Sequence, residues 1–124
     1  MRSGYRPRVV GILIALALAA PPRATLTAGR APIPLAVSSW CWGTHCGAPI
    51  SASTRTAVVA RGSLVHVDFA FAPTAVHVAI AGRPVPVVLH NREISWRARL
   101  GGGVTINATG TRGWVTYVAR LRLR

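Results

Sequence analysis

Acidic residues are nearly absent from this chain of 124 residues: Asp68 and Glu93 stand against 15 basic residues, every one of them Arg. Two acids leave no raw material for a carboxylate-pair hydrolase or for the all-oxygen cage that calcium requires. Two Cys and one Met likewise exclude an iron–sulfur cluster, which draws its ligands from thiolates. Charge of both signs is sparse at 14%, while 51% of the residues are hydrophobic and the mean hydropathy is +0.39. The chain is therefore neither a disordered polyelectrolyte nor too polar to build a core, and its length sets a ceiling of one domain.

The N-terminus carries a targeting signal. Arg2, Arg6 and Arg8 form a basic head, Val9 to Ala20 is an uncharged apolar run, and Pro21 and Pro22 follow. This is the layout of a signal peptide. The run would span about 18 Å as a helix, well short of the ~30 Å hydrocarbon core, so a permanent membrane span is not expected once the signal is cleaved. Ala17-Leu18-Ala19 has the small-x-small cleavage pattern but lies inside the run, whereas Ala24 and Ala28 lie beyond it. We assign residues 1–28 to the signal peptide, residues 29–36 to a Pro-rich linker and residues 37–124 to the folded domain. Removing the signal takes Arg2, Arg6, Arg8 and Arg23 with it and neither acid, so the mature chain stays strongly basic.

Beyond the linker the hydrophobic period is two, and no segment carries a convincing helical period. From Ser63 to Phe71, Val65, Val67, Phe69 and Phe71 alternate with Leu64, His66, Asp68 and Ala70. Val76, Val78 and Ile80 resume the alternation after Ala72-Pro73-Thr74, which predicts a hairpin. Pro84 and Pro86 cannot donate to a central ladder, so the apolar stretch Pro84 to Leu89 belongs on an edge. Ile94 to Leu100, Val104 to Ala108 and Trp114 to Arg124 alternate as well, and shorter strands are expected around Leu35 to Trp40 and Ala57 to Ala60. About seven strands punctuated by turn signals predict an all-β chain built as an antiparallel β-sandwich.

Cys41 and Cys46 lie close together in SSWCWGTHC, and an exported context favours a disulfide between them. The alternative is a secreted metal-binding domain that uses the thiols with His45 and one of His66, His77 or His90. Its Cys spacing is wider than the usual zinc knuckle, and the main assignment carries no metal or other cofactor. Trp40 and Trp42 share parity on an extended chain. They serve either as aromatic cover over the disulfide or as a surface for a sugar or partner, with Trp114 the third aromatic candidate. Trp96 shares its face with Ile94, Ala98 and Leu100 and reads as core.

Trp40-Cys41-Trp42, Cys46, the strand Gly62 to Phe71, Pro73, the strand Val76 to Ile80 and the closing strand Trp114 to Leu123 together resemble small exported bacterial domains of immunoglobulin-like shape. The resemblance covers most of residues 40–124. It implies an immunoglobulin-like sandwich in the cell envelope or medium, and it brings no catalytic residues. Unlike the antibody pattern, the Cys pair lies too close in sequence to bridge two sheets.

Arg120, Arg122 and Arg124 form a row at roughly 6.6 Å spacing if the last strand persists to the end, and Arg97 and Arg99 form a shorter one. Each guanidinium offers a two-pronged fork to phosphate or carboxylate. Repeated charge on an outer face also discourages edge-to-edge pairing. Specific nucleic-acid binding is not expected, because basic and aromatic residues do not interleave as a base-stacking platform does. No Gly-x-Ser-x-Gly elbow is present, and no recognisable base lies near any Ser in sequence, so the chain is read as non-enzymatic. The sequence points to an exported interaction module, secreted or held in the envelope, that contacts an anionic envelope polymer or another envelope protein.

Overall fold

Alternating side chains dictate the elements. In the computed structural model, which describes residues 20–29, 32–49 and 54–124, every regular element is a strand. Leu64–Phe69 buries Val65, Val67 and Phe69 and turns Leu64, His66 and Asp68 outward. Gly113–Leu123 buries Val115, Tyr117, Ala119 and Leu121, with Arg120 and Arg122 on the other side. A pleated strand sends successive side chains to opposite faces, so period-two sequences can bury one face and solvate the other.

Twelve strands result. In chain order they are β1 (Ala24–Thr27), β2 (Ile33–Pro34), β3 (Ala36–Trp42), β4 (His45–Gly47), β5 (Thr56–Val59), β6 (Leu64–Phe69), β7 (Ala75–Ile80), β8 (Arg83–Val85), β9 (Val88–His90), β10 (Glu93–Arg97), β11 (Gly102–Gly110) and β12 (Gly113–Leu123). Five of them form one sheet in the order β2-β1-β6-β10-β9, and seven form the other in the order β4-β3-β12-β11-β7-β8 with β5 beside β12. Pairing is antiparallel except between β5 and β12. β12 changes partner along its length: residues 113–118 pair with β3, and residues 120–123 pair with β5.

The two sheets share one core, the arrangement of a β-sandwich. Leu26, Val65, Val67 and Ile94 enter it from the five-stranded sheet, and Ile106, Val115, Tyr117 and Leu121 from the seven-stranded sheet. The Phe69 and Tyr117 rings meet across the interface with centroids 5.8 Å apart. Each fully buried aliphatic side chain of this kind contributes about 1.5–3 kcal/mol of transfer free energy.

The structure differs from the sequence expectations in four places. β6 and β7 are not a hairpin, since they belong to different sheets. Residues 70–74 carry the chain across the sandwich, anchored by Thr74, whose N–H and hydroxyl both donate to the Thr109 carbonyl at 2.7 and 3.1 Å. Each strand has one apolar face, and packing those faces against each other buries both. The stretch Pro84 to Leu89 does lie on an edge, but it is divided: β8 borders the seven-stranded sheet and β9 the five-stranded one. There are twelve strands rather than about seven, because β1, β2 and β4 are too short to show a period and Pro84 to Leu89 yields two.

The fourth difference is at the N-terminus. Most of the segment read as signal peptide, residues 1–19, lies outside the described residues. Its last part does not: β1 pairs with β6 along its whole length, and Ala24 and Leu26 are buried. The stretch read as a linker contributes β2 and the buried Leu35. A chain cut after Ala28 would lack β1.

Candidate functional site

The arginines of the closing strand stand on the outer face of the seven-stranded sheet because their parity is opposite to that of Val115, Tyr117, Ala119 and Leu121. Parallel pairing with β5 extends this half of β12. The Arg120 N–H donates to the Arg55 carbonyl at 2.9 Å, and the Arg124 N–H to the Val59 carbonyl at 3.0 Å. From Val59 the chain crosses through Arg61 and Gly62 into the other sheet, where the Ala98 N–H donates to the Ser63 carbonyl. Two guanidiniums tie down this crossing: Arg61 donates to the Arg99 carbonyl and Arg97 to the Gly62 carbonyl, each at 3.3 Å.

One end of the sandwich therefore gathers Arg61, Arg97, Arg99, Arg120, Arg122 and Arg124, with Arg55 beside Arg120, and all of them are exposed. The five arginines singled out from sequence meet at one end of the fold rather than on one face. Arg55 and Arg61 escape a reading of the sequence because they sit in loops with no periodic pattern; only the β5–β12 pairing and the crossing place them here.

Both acids lie elsewhere. Asp68 and Glu93 are direct cross-strand partners on the outer face of the five-stranded sheet, four residues along β6 from the Leu64–Arg97 pair, or roughly 13 Å. His66 Nδ1 and Glu93 Oε1 lie 3.2 Å apart in a hydrogen bond, which is an ion pair only where the imidazole is protonated. Partial desolvation, reinforced by the neighbouring Glu93 carboxylate, raises the Asp68 pKa above its usual value, with His66 partly offsetting the rise. The basic end thus holds no acidic side chain, and its positive potential is not cancelled locally.

Cys41 and Cys46 are joined as cross-strand partners in the β3–β4 hairpin, so both thiols are used. Cys41 is also the partner of Trp114, whose parity puts it on the outer face. Trp40 and Trp42 have the opposite parity. They are half-buried and pack toward the core, Trp40 over Gly47 and Trp42 edge-on to Phe71 with centroids 4.8 Å apart. They do not cover the disulfide, and of the three aromatic candidates only Trp114 is exposed, at 37%.

Three of the four histidine candidates lie apart from one another, and His90, the cross-strand partner of Glu93, shares that neighbour with His66. His45 is at the hairpin tip, His66 on the outer face of the five-stranded sheet, and His77 on the outer face of the seven-stranded one, opposite Asn107. Among the described residues no three His, Cys, Asp or Glu side chains come together as metal ligands. No helix among them is long and apolar enough to cross a membrane.

Compared with known protein families, with characterised proteins and with solved structures, the chain matches none.

Proposed function

We propose that the protein is an exported, non-enzymatic interaction module of the envelope or extracellular space, and that its arginine-bearing end binds an anionic envelope polymer. One observation carries this reading: of the eleven exposed arginines among the described residues, seven (Arg55, Arg61, Arg97, Arg99, Arg120, Arg122 and Arg124) collect at one end of the sandwich, while the chain's two acids sit together away from it. Guanidiniums on the outer face of an extended strand repeat at roughly 6.6 Å, a spacing at which successive phosphates or carboxylates of a flexible polymer can each receive a fork of two N–H donors. The basic head and apolar run of the N-terminus support export, as does the disulfide, which persists in oxidising compartments. In the same reading the sandwich is immunoglobulin-like.

The test uses linear polyphosphate as the probe polymer. Its affinity is expected to fall linearly in log–log form as salt rises, because binding releases condensed counterions. Arg120→Gln/Arg122→Gln/Arg124→Gln should flatten that slope and weaken binding at least tenfold, and Asp68→Asn should not weaken it. Affinity that is insensitive to salt and to the triple substitution would overturn the proposal.

A further inference from the structure

The chain leaves the seven-stranded sheet after β8 and enters the five-stranded sheet at β9, and at this crossing the sandwich is open. A cavity of about 370 Å³ lies there, at the lower end of the ~300–1,000 Å³ typical of small-molecule sites. Its walls are apolar for sequence reasons. Ile80 ends β7 on the buried parity, Trp96 holds the same parity on β10, and Pro84 and Pro86 bring ring carbons and no N–H donors. Val85 and Leu100 complete the lining.

The charge of its lining gives the cavity a preference. Arg97 and Arg99 belong to its lining, both exposed, and no acid does. Trp96 is 4% exposed with its indole nitrogen closed off from solvent, so it forms the inner wall and offers a bound molecule ring carbons rather than a donor. An apolar cavity with Arg97 and Arg99 in its lining and no acid is complementary to a molecule with a hydrocarbon body and an oxyanion head.

From this geometry we infer that the β8–β9 crossing is a binding site for a single amphipathic anion, a medium-chain acyl carboxylate. The hydrocarbon replaces water against Ile80, Val85, Trp96 and Leu100. The carboxylate meets the guanidiniums of Arg97 and Arg99.

Decanoate is the probe, titrated below its micelle concentration and followed through the indole N–H resonance of Trp96. Saturable one-to-one binding that shifts this resonance is expected, with no shift from acetate, which has the head without the body. Val85→Trp, on an edge strand, should fill the cavity and lower decanoate affinity at least tenfold; Leu100→Trp fills it from the β10 side should the first variant not fold. Arg97→Gln/Arg99→Gln should weaken decanoate more than decanol. No saturable shift in the wild-type protein, or an unchanged one in the filled variant, would overturn the inference. Polyphosphate binding by Val85→Trp separates the two sites: it persists if the arginine end acts on its own, whatever decanoate does.

Discussion

The hydroxyl of Tyr117, on β12, donates to the carbonyl oxygen of Pro22 at 2.7 Å, joining residues 95 apart in sequence. Tyr117 is fully buried, and burial pushes its pKa well above the usual tyrosine value, so the phenol stays protonated and able to donate. The bond ties the segment just before β1 to the centre of the seven-stranded sheet. The Ala70 N–H donates to the Arg23 carbonyl and the Leu35 N–H to the Ala24 carbonyl, which holds the same segment from both sides.

Processing of the chain should respect this attachment. A protein starting at Ala20 is expected to fold, and one starting at Gly29, without β1, to lose its cooperative unfolding transition or melt far lower. Tyr117→Phe should cost about 1–2 kcal/mol, the worth of a buried hydrogen bond whose acceptor is left without its donor. Chemical denaturation measures both. N-terminal sequencing of the protein from its host should find a start before Ala24; a start at Gly29 with the fold intact would contradict the role given to β1.

Gly113 opposes Trp42 at a φ of +150°, and a Cβ there would collide with the Cys41 carbonyl. Gly113→Ala is expected to destabilise by ~3 kcal/mol or more, since the clash is with backbone and cannot be relieved by a rotamer change. Gly103 has open space around the same position, so Gly103→Ala should stay within about 0.5 kcal/mol of wild type. Paired urea titrations decide the comparison.

The Cys41–Cys46 bridge closes a short loop. Its removal in Cys41→Ser/Cys46→Ser should cost about 2 kcal/mol by the loop-entropy argument. Polyphosphate affinity should not change, because the bridge pairs with the Trp114 end of β12 and the arginines occupy the other end. A parallel loss of binding would show that the hairpin belongs to the site.

Asp68 makes stability depend on pH in a defined direction. Its folded pKa is raised above the ordinary 3.8, so within that interval the native state binds the proton more readily than the unfolded chain. Stability contributed by this group therefore rises as pH falls through the folded pKa and is complete below the unfolded value. The side chain is exposed and the effect small. Asp68→Asn should abolish this part of the acid-side gain without loss of stability at neutral pH, as urea midpoints on both sides of the interval will show.

Much of the architecture is legible along the chain. Which side chains of β6, β7, β11 and β12 face inward follows from a period of two, because pleating alone assigns alternate residues to opposite faces. The edge position of Pro84 follows from its missing donor, and the Cys41–Cys46 bridge from the close spacing of the two Cys together with the export that the N-terminal pattern leads one to expect. What the tertiary structure alone decided is which strands become neighbours. Backbone hydrogen bonds join strands without reference to side-chain identity, so alternation places β6 and β7 in strands but cannot say that they face each other across a core. The same reason hid β1, whose Ala-Thr-Leu-Thr is too short to carry a period and adjoins an apolar run that reads as signal. It also hid the arginine end: Arg61 and Arg97 come together with Arg120, Arg122 and Arg124 only because β5 pairs with the last turn-free residues of β12 and the chain then crosses to β6.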